Sequence, residues 1–284
     1  MIDRLFVLIQ YLLPQHGLSR LAGRLAQSTR PWLKNALIKA FIRHYGVDMS
    51  EAEQTDPTVY PCFNAFFTRA LKPGARCIDP GADSLVCPAD GSVSQLGEIN
   101  EGRIFQAKGQ LYSCLELLGG DADLARTFAG GQFATIYLSP RDYHRVHMPC
   151  AGQVRTSITI PGELFSVNET TAHQVPRLFA RNERLVTVFD TPRGPMAMVL
   201  VGAMIVAGIE TVWGGQALPM SRRIQRLDYR PEAGGIELAK GEEMGRFKLG
   251  STVVLLLPRG KVSWEPAFSA GSRTRMGERL GSLN

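Results

Sequence analysis

The sequence has no apolar run long enough to cross a bilayer. Its strongest early stretch, Leu5 to Leu13, contains Gln10 and stops at Pro14, whereas a spanning helix needs about 20 mostly apolar residues. The basic n-region and small-residue cleavage site of a secretory signal are also missing, so secretion is not expected. Cysteine is scarce. Cys62, Cys77, Cys87, Cys114 and Cys150 are odd in number and widely spaced, with no pair at a metal-ligand spacing. They read as reduced, structural thiols of a cytosolic protein. There is no internal repeat, no low-complexity tract and no G-x-S-x-G elbow of the kind found in one large hydrolase class. No nucleic-acid motif accompanies the basic residues.

What is present begins with the placement of charge. The chain has 284 residues, 32 Lys+Arg and 26 Asp+Glu, for a net +6. Residues 1–46 hold seven of the bases (Arg4, Arg20, Arg24, Arg30, Lys34, Lys39, Arg43) and one acid, Asp3, leaving 25 of each sign for the other 238 residues. The basic character therefore belongs to the N-terminal segment alone. A chain this long buries a full core without disulfides or metal, and one catalytic domain with an appendage fits the length.

The N-terminal segment reads as two or three short amphipathic helices broken at Pro14, Gly17 and Pro31. Ile2, Leu5, Phe6, Ile9, Leu12 and Leu13 recur at helical spacing, followed by Leu18, Leu21 and Leu25, then by Trp32, Leu33, Leu37, Phe41 and Ile42. An apolar stripe beside a basic face suits a helix lying in an anionic membrane surface. The competing expectation is that the stripes simply pack on the rest of the protein. A polar connector, 48–61, leads to a helix predicted over Phe63–Leu71. Beyond Pro73 come short apolar or alternating runs divided by Gly, Pro and Asp. Strands are predicted at Gly91–Leu96, Gln132–Leu138, Gln153–Ile160, Arg184–Asp190, Met196–Ile209 and Thr252–Leu257, with a hairpin turn at Pro192–Pro195 and a helix at Leu111–Leu118. The expected class is α+β: a mostly β catalytic domain, 47–284, behind a helical membrane-associating segment, 1–46.

Three places carry chemistry. Gly250-Ser251 lies at the entrance to an apolar strand, where the Ser251 hydroxyl could attack the Gly250 carbonyl once a base removes its proton. The amide would become an ester, and elimination would cut the chain and leave residue 251 to hydrolyse to pyruvoyl. Asp90 sits in a turn before a strand, and His144 and His147 follow the turn-rich 139–142. Asp90, His147 and Ser251 could form an Asp-His-Ser arrangement, although Asp-Gly pairs are ordinarily turn formers and Gly-Ser pairs ordinary loop residues. His144-x-x-His147 could also bind metal, but zinc needs at least three protein ligands and no acidic residue completes a pattern; no metal is expected.

The segments PADGSV (88–93), YHRVHMP (143–149), PGELFSVN (161–168) and RFKLGSTVVLL (246–256) resemble those of the phosphatidylserine decarboxylase family, in the family's order. Matching motifs run from FNAFFTR at Phe63 to Met276-Gly277-Glu278. The helical front end is similar to the bacterial membrane-associated branch. The resemblance implies that Asp90, His147 and Ser251 drive self-cleavage into a β chain, 1–250, and an α chain, 251–284, which begins with pyruvoyl. That group would form a Schiff base with phosphatidylserine and act as electron sink, the work PLP performs elsewhere. His144 would reprotonate the α-carbon, releasing phosphatidylethanolamine. Phe165, Ser166 and Asn168 would line the substrate pocket. A peripheral location on the cytoplasmic face and a homodimer of cleaved protomers are implied as well.

Three alternatives stand beside this. A serine hydrolase using Asp90, His147 and Ser251 would keep its chain intact. A lipoyl-like carrier would want a Lys at a hairpin tip, and none stands out. A pyruvoyl decarboxylase of a soluble amino acid would leave residues 1–46 without a purpose.

Overall fold

A computed structural model describes residues 2–204, 208–218, 223–229, 234–248 and 251–284, with the backbone alone for Ile2, Leu218 and Ser251. Three helices lead: α1 (Ile2–Leu12), α2 (Gln15–Ala26) and α3 (Pro31–Tyr45). Pro14 precedes α2, Pro31 opens α3, and Gly46 ends α3 in the left-handed conformation at φ 64, the usual device at a helix C-terminus. Gly17 does not break the chain. It lies inside α2, where a single glycine weakens a helix without stopping it.

The helical stripes part company once folded. On α1 the expected stripe faces outward: Leu5, Phe6, Leu8, Ile9 and Leu12 are all exposed, Leu12 at 78%, while Val7 and Gln10 are buried. Leu21 and Leu25 of α2 are exposed too. The α3 stripe packs instead, apart from Trp32 at its start, which is 69% exposed. Leu37, Ile38, Phe41 and Ile42 join Phe63, Phe66 and Phe67 in a separate aromatic-rich cluster. The helix predicted over Phe63–Leu71 is a single turn and a half, α4 (Phe63–Phe67), because Leu71 pairs in a β-bridge with Ala52.

The body is a nine-stranded antiparallel sheet. Its central strand, Ser251–Leu257, lies between Gly194–Val201 and Gln132–Leu138. Alternation along that strand sends Val254 and Leu256 to one apolar core and Val253 and Leu255 to the other, as a strand buried on both faces requires. A four-stranded sheet of 215–218, 208–211, 243–248 and 145–147 carries the histidine segment, and a three-stranded sheet of 84–86, 279–283 and 262–264 closes the C-terminus. Five strands match expectation within two residues at each end: Gly91–Glu98, Gln132–Leu138, Gly152–Ile160, Arg184–Thr191 and Ser251–Leu257.

Two expectations need correction. The apolar run Met196–Ile209 is not one strand. Strand Gly194–Val201 ends in the large sheet and Gly208–Thr211 begins in the small one, because the run feeds two different layers. The helix expected at Leu111–Leu118 shrinks to Cys114–Leu117, capped by Ser113 and Glu116 in a reciprocal capping box. Leu111 instead belongs to a hairpin, Arg103–Ala107 with Gln110–Ser113. Lys108 stands at the tip of that hairpin with φ 45, so a lysine does occupy a hairpin tip. Among the described residues no helix is long and apolar enough to cross a membrane.

Candidate active site

The site is built where the 88–91 turn, the 139–147 segment and the head of the central strand converge. Backbone contacts tie these together. The His147 N–H donates to the Pro88 carbonyl at 2.8 Å, and the Phe247 N–H to the His144 carbonyl at 3.0 Å. Ser251 pairs in register with Leu138, next in sequence to Ser139, and Thr252 lies between Tyr137 and Val201. Gly91 makes this convergence possible. A Cβ there would sit 2.2 Å from the Tyr137 carbonyl oxygen, so only glycine lets the two strands close beside Asp90.

His144 is fully buried, its ring stacked on Phe67 with centroids 4.0 Å apart and planes 22° apart. Neither ring nitrogen makes a well-formed hydrogen bond among the described residues, although the Ser139 and Pro140 backbone beside the ring favours its protonated form. Burial pushes its pKa down to about 3, helped by the Arg69 guanidinium nearby, so the imidazole is neutral. Arg69 is itself buried against Phe66, gives one N–H to the Arg141 carbonyl at 3.2 Å, and has its own pKa lowered by burial. A buried imidazole lacking a well-formed hydrogen bond at either nitrogen is rare without a functional or solvent partner.

His147 is held differently. Its Nδ1 lies 2.8 Å from the Gly241 carbonyl and its Nε2 3.0 Å from the Tyr143 hydroxyl. A carbonyl can only accept, so Nδ1 carries the proton and Nε2 is the free base, receiving the Tyr143 hydroxyl. Burial lowers the His147 pKa against the opposing pull of the Gly241 carbonyl. Gly241 is itself constrained, with φ +80 and Ile78 2.9 Å from where a Cβ would stand.

Asp90 is close to this histidine in the fold, yet its hydrogen bonds run elsewhere. Its carboxylate accepts from Arg76 Nε at 2.9 and 3.1 Å, from the Arg76 Nη2, and from the Met276 N–H at 2.8 Å. No hydrogen bond joins Asp90 to His147, because the buried Arg76 guanidinium takes the carboxylate, although the Asp90 charge still favours protonated His147. Burial disfavours the Arg76 charge, but hydrogen bonds to Asp90 and Glu51 outweigh it and raise the pKa. A cavity of about 370 Å³ is lined by Asp90, Arg76, Arg69, Asp142 and Tyr143. Gly250 and the Ser251 side chain lie outside the described residues, so the third member is located by backbone register alone.

The expected substrate residues divide. Phe165 is buried with its ring edge-on to Tyr11, and Ser166 is half-buried. Asn168 is occupied as the N-cap of helix Glu169–Gln174, accepting from the Thr171 N–H at 3.0 Å. Arg76, Gly241 and Asn182 were not singled out from the sequence. Asn182, fully buried, accepts from the Phe165 N–H and donates to the Phe165 and Gly202 carbonyls. Nothing in the local pattern marks these three, whereas Tyr143 and Phe67 sit inside the motifs YHRVHMP and FNAFFTR. Among the described residues no three His, Cys, Asp or Glu side chains gather as metal ligands.

Comparison with known proteins identifies the family. The family model described as phosphatidylserine decarboxylase matches residues 63–282, and a second, described as PSD, matches residues 5–46. A phosphatidylserine decarboxylase proenzyme of Marinobacter nauticus is 58% identical over 285 residues, covering 100% of this chain and 99% of the relative. Proteins of the same name from Pseudomonas fluorescens and Hahella chejuensis are 60% and 56% identical, covering 98% and 99% of this chain and 97% and 94% of those proteins. The chain belongs to the phosphatidylserine decarboxylase family.

Proposed function

We propose that this protein is a phosphatidylserine decarboxylase, made as a proenzyme that cuts itself at Gly250-Ser251 and uses a pyruvoyl group derived from Ser251. The carrying observation is the full-length match to decarboxylase proenzymes, with Asp90, His144 and His147 gathered near the head of the strand that Ser251 begins.

In self-cleavage, His147 Nε2 takes the Ser251 hydroxyl proton. The oxygen attacks the Gly250 carbonyl, so an ester forms as the amide breaks and the freed amine takes a proton. Elimination then releases Gly250 as a carboxylate, and water converts residue 251 to pyruvoyl with loss of ammonia. Gly241 fixes the tautomer that leaves Nε2 basic. Asp90, held by Arg76, contributes negative charge near the histidine that favours its protonated form. A pyruvoyl group supplies an electron sink for the pair left behind when CO2 departs. The buried His144, with no well-formed hydrogen bond at either nitrogen, suits a proton carrier in that step. Neutral imidazole gives the N–H of one nitrogen to the α-carbon as its other nitrogen takes up a proton, and the low dielectric around Phe67 favours loss of a carboxylate's charge.

Residues 1–46 form the membrane-associating part and 47–284 the catalytic part. The exposed apolar face of α1 and α2 with Arg20 and Arg24 supports peripheral attachment to the anionic cytoplasmic face of the cell membrane. A homodimer of cleaved protomers is the assembly expected. Intact mass measurement of the purified protein, with a decarboxylation assay on phosphatidylserine, tests the whole reading. Two fragments meeting at 250/251, the smaller blocked by pyruvoyl, and CO2 release support it. An intact chain that hydrolyses esters would replace it with the serine hydrolase.

A further inference from the structure

We propose that Gln10 is a positioning residue for the lipid-binding segment 163–166, so that the N-terminal helices form a wall of the substrate site as well as an anchor. The inference rests on the reading of Phe165 and Ser166 as substrate residues. Gln10 lies in an otherwise largely apolar stretch of α1, one turn from Val7, and the two are the buried side chains among the described residues of α1, at 2% and 6% exposure. An aliphatic side chain is the ordinary choice at such a place. A glutamine there is costly unless it is hydrogen-bonded.

Its bonds all go to one residue. Gln10 Oε1 accepts from the Ser166 N–H at 2.9 Å and from the Ser166 hydroxyl at 3.1 Å. A backbone N–H can only donate, so the amide cannot be turned over. Its Nε2 is left buried without a partner among the described residues. Stability alone gives no reason to keep that donor. The next helix repeats the grip. Gln15 Oε1 accepts from the Leu164 N–H at 2.6 Å, while Gln15 Nε2 donates to the Gln10 carbonyl at 2.9 Å. Two glutamines thus hold alternate backbone N–H groups, 164 and 166.

Phe165 lies between them. Its ring meets Tyr11 at 4.8 Å, and the Arg181 guanidinium stands 5.0 Å from its centroid. On the far side Asn182 clamps its N–H and carbonyl at 3.1 and 2.8 Å. A cavity of about 450 Å³ opens along this seam, bounded by Phe165, Tyr11, His16 and Arg20. Its lining offers an apolar wall and a cation, matching the glycerol and phosphodiester parts of a phospholipid. Glu163 also borders it but is paired with Arg181. The elbow between α1 and α2 thereby sets the position of the segment that meets the lipid.

The test is Gln10→Met, which keeps volume and apolar contact and removes the acceptor. It is assayed on a monomeric short-chain phosphatidylserine, so that membrane attachment plays no part. The expected result is normal self-cleavage, unchanged partition onto anionic vesicles, KM raised about tenfold and kcat within about twofold. Ser166→Ala should raise KM as well, and the double variant should fall short of the product of the two single effects, since the hydroxyl bond is common to both. Unchanged KM in Gln10→Met with a raised KM in Ser166→Ala overturns the role of Gln10 and leaves the substrate reading standing. Unchanged KM in both removes the substrate reading itself. Lost vesicle binding at unchanged KM makes α1 an anchor only, which also overturns the proposal. Should Gln10→Met fail to fold, Gln15→Leu carries the same test through the Leu164 N–H.

Discussion

The Phe67 ring lies almost parallel to the His144 imidazole, with centroids 4.0 Å apart. The stack comes from two distant parts of the chain and has a consequence for acid stability. The folded protein holds His144 neutral down to about pH 3, while the unfolded chain takes up that proton near 6.5. Its contribution is fully present above pH 6.5 and is lost as pH falls toward 3, by at most about 1.4 kcal/mol per pH unit. His144→Asn in an uncleaved Ser251→Ala background should therefore unfold at lower pH than its parent. Imidazole NMR should show His144 unprotonated at pH 5. A His144 that titrates near 6.5 would remove the basis of this prediction.

Phe67→Leu keeps an apolar cover but loses the flat contact. Decarboxylation should fall at least tenfold while self-cleavage proceeds, with a stability loss of about 1 kcal/mol. Equal loss of both reactions would show that Phe67 supports the fold and has no particular link to His144.

The Gly241 carbonyl holds the His147 tautomer, and no side chain fits at Gly241 without moving Ile78. Gly241→Ala should slow self-cleavage at least tenfold in a folded protein, followed by the ratio of precursor to fragments over time. Wild-type processing in that variant would mean that His147 is oriented by something else.

Glu183 is buried at the start of strand Arg184–Thr191, and burial alone raises its pKa to about 7 from 4.5. The folded state binds the proton more tightly than the unfolded one. Stability is therefore full below pH 4.5, declines as pH rises toward 7 and is flat above. Glu183→Gln should raise the Tm of the Ser251→Ala precursor by a few degrees at pH 8 and leave it unchanged at pH 4. A variant less stable than its parent at pH 8 would show that the carboxylate has a favourable partner.

Much of this was legible beforehand, and the reasons are physical. Gln132–Leu138 shows as a strand because its apolar run is bounded by glycines and a proline. The paired histidines stand out because their motif carries the resemblance. Arg76 could not be anticipated. Its link to Asp90 joins residues 14 apart on either side of strand Ser84–Val86, with no periodicity to mark it, and in sequence it is one arginine among many. That Asp90 bonds to Arg76 and not to His147 was hidden for the same reason, since a carboxylate's preferred partner depends on which guanidinium the fold delivers. The helical stripes were found, but period alone does not say which face meets protein. Gln10 reads as a polar interruption of an apolar helix until Ser166 is seen beside it.

The outward face of α1 leads to the final prediction. Leu5, Leu8 and Leu12 are 57%, 56% and 78% exposed, an apolar patch that isolated soluble proteins seldom carry without a partner. Removing residues 1–46 would be a poor test, because α3 packs on the cluster that holds Phe67 and Gln10 and Gln15 grip segment 163–166. Replacing Leu5, Leu8 and Leu12 by Gln leaves Val7 and Gln10 in place. Each fully buried leucine is worth about 1.5–3 kcal/mol, so even one-third burial in lipid makes the triple change at least a tenfold loss of partition onto vesicles. That loss should persist at high salt, whereas the effect of Arg20→Gln with Arg24→Gln should fade there, since screening shortens to roughly 3 Å at 1 M. If the triple variant binds vesicles as its parent does while the arginine variant does not, attachment is electrostatic and the leucines face something other than lipid. If neither variant changes binding, the helices serve the substrate segment alone.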